Sequence, residues 1–97
     1  MKEALPLATM QELHGYARSL LAQKKTKEAL EAFQMNYKKN PSQFTTLVGL
    51  TRGYSANGDY KNALKYAEQA LPLAPDSNNK NSLTAMIEKL KKGQDVN

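Results

Sequence analysis

Apolar side chains recur three and four positions apart in five stretches of the chain, with polar side chains between them. This spacing places the apolar positions on one face of an α-helix. The pattern predicts an all-α fold with helices over about residues 10–23, 27–39, 43–56, 60–71 and 78–91. The predicted apolar stripes are Leu13, Tyr16, Ala17 and Leu20; Ala29, Leu30, Phe33 and Tyr37; Phe44, Leu47, Leu50 and Tyr54; Tyr60, Ala63, Leu64, Ala67 and Leu71; and Leu83, Met86, Ile87 and Leu90.

Polar, glycine and proline residues mark the ends of these helices. Thr9 and Glu12 form a Thr-x-x-Glu capping box, in which each side chain bonds a free backbone N–H of the other residue. We expect the other helices to be capped by Thr26, Ser42, Asp59 and Asp76 or Ser77. The predicted stops are Lys24-Lys25, Asn40-Pro41, Asn57-Gly58, Pro72 and Gly93.

The helical pattern repeats after 34 residues. Ala63 corresponds to Ala29, and Pro75 corresponds to Pro41. A constant period of this length is typical of a helix-turn-helix repeat. The period divides the chain into a first repeat over 10–43, a second over 44–77, a capping helix over 78–92 and a tail over 93–97 that we expect to fray.

The first nine residues contain a further copy of the pattern. Residues 2–8 read KEALPLA, and residues 68–74 read EQALPLA. We therefore interpret residues 1–9 as the tail of a preceding repeat and expect the parent protein to continue upstream of Met1.

The residues at repeat positions resemble the tetratricopeptide repeat family. The matching sets are Leu13, Tyr16, Ala17, Leu20, Ala29, Phe33 and Pro41, and Leu47, Leu50, Thr51, Tyr54, Ala63, Ala67 and Pro75. The resemblance implies two repeats and a capping helix in a right-handed stack, with the first helix of each pair lining a concave groove. Lys24 replaces the family's turn glycine, so we expect a looser turn there. Asn36 replaces a small packing residue.

Longer stretches, such as GLTRGYSANGDYKNALKYAEQAL, resemble the C-terminal tail of a bacterial family in which an uncharacterised N-terminal domain precedes a short repeat array. The resemblance implies a C-terminal appendage with a periplasmic or cell-envelope address. A cytoplasmic location stays open.

Composition and charge narrow the function classes. The 97 residues include no cysteine and carry a net charge of +5, so we expect one small domain without disulfides or thiolate metal sites. No apolar run is long enough to span a membrane. The excess positive charge lies at helix ends, and the helix dipole favours cations at C-termini, so we expect no nucleic-acid partner. Those lysines are Lys24, Lys25, Lys27, Lys38, Lys39, Lys91 and Lys92.

Catalytic and phosphate-binding patterns are missing from the sequence. His14 is the single histidine, and neither G-x-x-x-x-G-K-[ST] nor G-x-G-x-x-G is present. We expect His14 to line a groove or the surface, and Glu28 and Glu31 to be solvated. The sequence predicts a protein that is not an enzyme and has no cofactor and no metal site.

Gly-x-x-Arg occurs at the same place in both repeats, as Gly15-x-x-Arg18 and Gly49-x-x-Arg52. These residues lie off the apolar stripes, on the helices that the resemblance assigns to the concave groove. One interpretation is an open groove floor with two guanidinium groups for a carboxylate; the other is two exposed arginines and two tolerated glycines. The candidate groove residues are Gln11, His14, Gly15, Arg18, Thr45, Val48, Gly49 and Arg52, with Asn79 and Ser82 as polar neighbours.

Gly49-x-x-x-Gly53 is a small-residue pair of the kind that allows close helix packing in membranes. In a protein in water we expect it to carry little of that meaning.

Two functions fit this reading. The first is a protein-binding module whose groove holds a peptide or a partner helix that is acidic or has a free carboxylate. The alternative is a structural appendage that docks on the upstream domain of its own chain or forms a weak homodimer. For the alternative we expect an exposed apolar patch around Met10, Leu21 and Phe44.

Overall fold

The computed structural model describes residues 9–97, and all regular secondary structure in this range is helical. The fold class predicted from the sequence, all-α, is confirmed. The predicted tail of a preceding repeat, residues 1–9, lies outside the described range except for Thr9. The elements are α1 (Met10–Ala22), α2 (Thr26–Lys39), α3 (Phe44–Ala56), α4 (Tyr60–Ala70), a short 3-10 helix (Leu71–Leu73) and α5 (Ser77–Lys91).

Three of the predicted caps form. The Thr9 hydroxyl accepts a hydrogen bond from the Glu12 N–H at 3.1 Å, and the Glu12 carboxylate accepts one from the Thr9 N–H at 2.9 Å. The Asp59 and Asp76 carboxylates accept from the N–H groups of Asn62 and Asn79 at 3.2 and 2.8 Å. Short side chains with an acceptor oxygen therefore begin α1, α4 and α5 as predicted.

The other two predicted caps, Thr26 and Ser42, are wrong. α2 begins at Thr26 itself, after Lys25, whose side chain makes no capping bond. Gln43 precedes α3, and Ser42 has a left-handed backbone with φ 58°. The start of α3 is held instead by Thr46, whose hydroxyl donates to the Asn40 carbonyl oxygen at 2.7 Å and lies 3.2 Å from the Gln43 carbonyl oxygen.

α1, α3 and α5 end in the same turn. Lys24, Gly58 and Gly93 have φ values of 65°, 79° and 70°, and each turn closes with a bond from the next residue's N–H to a carbonyl five residues back. This is the Schellman arrangement. The three N···O distances, Lys25 to Leu20, Asp59 to Tyr54 and Gln94 to Lys89, are all 2.9 Å. The expectation of a looser turn at Lys24 is therefore wrong, because Lys24 adopts the glycine conformation.

Each helix packs on the next one along the chain, and α1 also packs on α3. The buried side chains form two clusters. Phe33 and Ala63, predicted to be core, are 1% and 0% exposed and lie one in each cluster. The first cluster comprises Ala17, Leu20, Ala29, Ala32, Phe33 and Leu50, and the second Leu47, Ala63, Ala67, Ala70, Leu83, Ile87 and Leu90.

Three tyrosines join the two clusters. Tyr37, Tyr54 and Tyr66 each pack against both sets of buried residues. The Tyr54 and Tyr66 rings stack at 5.7 Å between centroids, and Tyr37 meets Tyr66 edge-on at 5.9 Å. The core is therefore continuous from α1 to α5.

Buried Asn36 connects α2 to its neighbours by hydrogen bonds. Its amide donates to the Met10 carbonyl at 3.0 Å, and its side-chain oxygen accepts from the Asn40 amide at 3.1 Å. The polar side chain at this repeat position thus fixes the start of α1 and the end of α2, where a small apolar residue would only fill space.

Gly49 and Gly53 allow α3 to lie close to α2. A methyl group on Gly49 would lie 2.6 Å from Phe33 Cδ1, and one on Gly53 would lie 3.0 Å from Leu30 Cδ1. The expectation that this glycine pair carries little meaning is wrong. The pair makes room for the Phe33 ring, the largest fully buried side chain among the described residues.

The expected apolar patch is also wrong. Met10, Leu21 and Phe44 are only half-buried rather than exposed, and the last two pack against the core clusters. Within residues 9–97, the large apolar side chains that are exposed are Met35 and Leu73, at 39% and 46%.

Candidate functional site

A concave surface runs across α1, α3 and α5, and we call it the groove. Its first part, at the N-terminal ends of these helices, has a volume of about 230 Å³ and is lined by Gln11, His14, Arg18, Phe44, Thr45, Val48, Arg52 and Asn79. Six of the eight residues predicted for the groove are in this set. A smaller part of about 120 Å³ continues over α5, and Ser82 and Met86 line it.

Equivalent residues of the two 34-residue segments meet in the groove. The Gln11 side-chain amide donates to the Thr45 hydroxyl at 3.4 Å, and these residues are 34 positions apart. Arg18 and Arg52, also 34 apart, line the same concave surface. The 34-residue period therefore predicted correctly that Arg18 and Arg52 would lie on one surface.

Gly15 and Gly49, the other two predicted groove residues, do not line it. Gly49 is buried against Phe33 of α2, while a methyl group on Gly15 would have no neighbour within 4 Å among residues 9–97. The two glycines share a repeat position but have different surroundings, because α3 has a preceding helix packed on this side. The predicted glycine floor of the groove is wrong.

Arg52 is the central residue of the groove, since it lines all three of its parts. It is half-buried, and its Nε is buried without a hydrogen-bond partner among the described residues. Burial, and after it the positive charge of Arg18, lower the pKa of Arg52 from its usual value. Arg18 itself is exposed. The groove thus holds two guanidinium groups that repel each other.

His14 lies between these arginines and the core. Its ring is 5.6 Å from the Phe33 ring, and its Nδ1 is buried without a hydrogen-bond partner within residues 9–97. Burial lowers the pKa of His14, and the charges of Arg18 and Arg52 lower it further. At neutral pH the imidazole is therefore uncharged and packs as part of the groove wall.

The last part of the groove, at the C-terminal ends of α1 and α3, is the largest at about 540 Å³. Arg18 and Arg52 line it, and so do Asp95 and Asn97 from the end of the chain. Asp95 supplies the one side-chain carboxylate among the described residues that line the three parts. The full lining is Arg18, Leu21, Ala22, Lys24, Thr26, Arg52, Ala56, Asp95 and Asn97.

The C-terminal tail is bound to α3, and the prediction that it frays is wrong. The Ser55 hydroxyl donates to Asp95 Oδ1 at 2.6 Å and accepts from the Val96 N–H at 2.9 Å. The Asn97 amide donates to the Arg52 carbonyl at 2.9 Å. Burial raises the pKa of Asp95, but hydrogen bonds from Ser55, Asn97 and Val96 outweigh it, so the net pKa is lowered.

Sequence reasoning missed these tail residues because their partners are 40 and more positions away. Ser55 lies off the apolar stripe of α3, yet its side chain is 1% exposed. Ser55 is the penultimate residue of α3, and the helical period gives no signal that its side chain is buried.

The described residues offer no cluster of three or more His, Cys, Asp and Glu side chains that would hold a metal ion. None of the helices within residues 9–97 is both long and apolar enough to cross a membrane. No family model matches the chain, and neither a curated protein nor a solved structure matches it.

Proposed function

We propose that the chain is a non-catalytic binding module of the tetratricopeptide type, whose groove holds an acidic peptide or the acidic face of a partner helix. The 34-residue period, the recurring left-handed turn at Lys24 and Gly58, and the contact between Gln11 and Thr45 support a stack of equivalent helix pairs. In such a stack the first helices form the concave binding face.

The observation that carries the proposal is the pair of arginines in one groove. Arg52 is half-buried with an unpartnered Nε among the described residues, and Arg18 lines the same surface. A buried donor without an acceptor costs free energy that an incoming acceptor recovers. A carboxylate accepts two parallel N–H bonds from one guanidinium group, and its charge also reduces the repulsion between the two arginines. The groove is therefore suited to an acidic ligand.

Titration of the chain with acidic peptides and with their amide counterparts tests this proposal. We expect measurable affinity only for the acidic peptides. Each charge-assisted bond contributes about 1.5–3 kcal/mol, so Arg18→Ala and Arg52→Ala should each weaken binding by about tenfold or more. The loss should not be additive if both arginines hold one carboxylate.

Two comparisons separate this proposal from a general charge effect. Arg→Lys should restore binding only in part, because lysine lacks the planar fork. Lys61→Ala, which removes an exposed charge on α4, should leave affinity unchanged. Binding that is indifferent to both arginines and to salt concentration would refute the proposal.

The second candidate function, a structural appendage that self-associates or docks on another domain, is favoured by the exposed side chains of Met35 and Leu73. Sedimentation at several protein concentrations tests its homodimer form. A concentration-dependent dimer that Leu73→Ser abolishes would support it. A monomer at every concentration would argue against self-association.

A further inference from the structure

We infer that the C-terminal end of the groove is a subsite for an extended peptide segment that carries an aspartate, and that residues Asp95–Asn97 of the chain itself occupy it. The inference deepens the proposed function and rests on it in one respect: the tail would compete with the acidic ligand of the same groove.

Ser55 is the residue that recognises the segment. Its buried hydroxyl makes two bonds to consecutive residues, one donated to the Asp95 carboxylate and one accepted from the Val96 N–H. A hydroxyl group has one hydrogen to donate, and here it goes to the carboxylate. Bonds to a side chain and to the next backbone N–H together define both the residue type and the direction of the bound segment.

The next two residues extend the contact along α3. Val96 is half-buried and packs against the core cluster that contains Leu83 and Leu90. The Asn97 amide donates to the Arg52 carbonyl at 2.9 Å. The segment therefore presents a carboxylate, an apolar side chain and an amide in succession, which contact Ser55, the core cluster and the Arg52 carbonyl respectively.

The position of the tail makes it a competitor. Asp95 and Asn97 line the same part of the groove as Arg18 and Arg52. A segment tethered by a few residues to the end of α5 has an effective concentration in the millimolar range, so weak contacts suffice to keep it bound. A ligand that bonds Ser55 and the Arg52 carbonyl must displace it.

Removing the tail tests the inference. The probe is a labelled peptide with the sequence of residues 93–97, titrated into the full chain and into a chain that ends at Gly93. We expect the peptide to bind the shortened chain and to bind the full chain at least about tenfold more weakly. No binding to the shortened chain, or equal binding to both, would overturn the inference. Circular dichroism checks that the shortened chain keeps its helices.

Point variants of the full chain provide a second measurement that does not depend on truncation. Asp95→Asn removes the charge of the carboxylate to which the Ser55 hydroxyl donates. Gln94→Ala is the matched control at a neighbouring exposed position. Asp95→Asn should increase the affinity of the full chain for the labelled peptide several-fold, and Gln94→Ala should not. Equal affinities in both variants would count against the subsite.

The acidic peptides used for the proposed function distinguish the two claims. If they bind both forms with equal affinity and the tail peptide binds neither, the inference fails while the proposed function stands. If they bind neither form while the tail peptide binds the shortened chain, the proposed function fails and the subsite stands.

Discussion

Lys24 and Gly58 occupy the same turn in the two halves of the molecule, 34 residues apart, and both have a positive φ. Glycine adopts this conformation without steric cost, whereas a residue with a Cβ atom pays about 1–2 kcal/mol. Lys24 is therefore a strained residue in a turn whose hydrogen bonds are otherwise the same as those of its counterpart.

Lys24→Gly should stabilise the protein by about 0.5–1 kcal/mol, because relief of strain exceeds the added entropy of the unfolded chain. Urea unfolding measures the change. Lys27→Gly removes the same charge from within α2 and should destabilise by up to about 1 kcal/mol. Equal effects of the two variants would contradict the account of the turn.

His14 connects the charge of the groove to the stability of the core. Because burial and the two arginines lower its pKa in the folded chain, the unfolded chain binds the proton more tightly. Neutral His14 contributes fully to the free energy of unfolding above pH 6.5, the ordinary pKa of histidine. This contribution is lost as the pH falls through the lower pKa that His14 has in the folded chain.

The free energy of unfolding should therefore decrease as the pH falls below the ordinary histidine pKa of 6.5, and His14→Gln should remove most of that dependence. Denaturant unfolding at a series of pH values measures it. Glu12 and Asp95 also have lowered pKa values, but their contributions are lost only at more acidic pH. An unchanged slope in His14→Gln would show that another group is responsible.

At the scale of helices, α2 and α3 pack closely where Phe33 lies against Gly49 and Gly53. Helix ends were predictable because their signals are local: Thr9, Asp59 and Pro72 act within a few residues. The glycine contacts were not, because the repeat period treats Gly15 and Gly49 as equivalent. Only the order of helices in space shows that one of them faces another helix.

Alanine substitutions at these two glycines should have opposite effects. Gly15→Ala should stabilise by about 0.5–1 kcal/mol through helix propensity, since the added methyl group has no neighbour within 4 Å in the described part of the chain. Gly49→Ala should destabilise by about 1–3 kcal/mol, because its methyl group would overlap the Phe33 ring. Thermal unfolding of both variants measures the difference. A gain in stability in both would contradict the close packing of α2 and α3.

For the whole molecule, the sequence period predicted that Arg18 and Arg52 would share a groove, and they do. It did not predict that the end of the chain would return to the same groove, because the contacts of Ser55 with Asp95 and Val96 lie outside the repeat. The resulting surface combines two arginines with a tail whose Asp95 supplies the one side-chain carboxylate among the described lining residues. This combination leads to the central claim, that the groove binds acidic peptides.

The most direct test of that claim is to map where a peptide binds, by titrating the ¹⁵N-labelled chain with an acidic peptide and following its amide resonances. The account predicts that the largest shifts belong to Arg18, Thr45 and Arg52, with changes at Val96 as the tail is displaced, while Lys61 on α4 stays unchanged. Shifts centred instead on Tyr37 and Tyr66, with the groove residues unaffected, would contradict it.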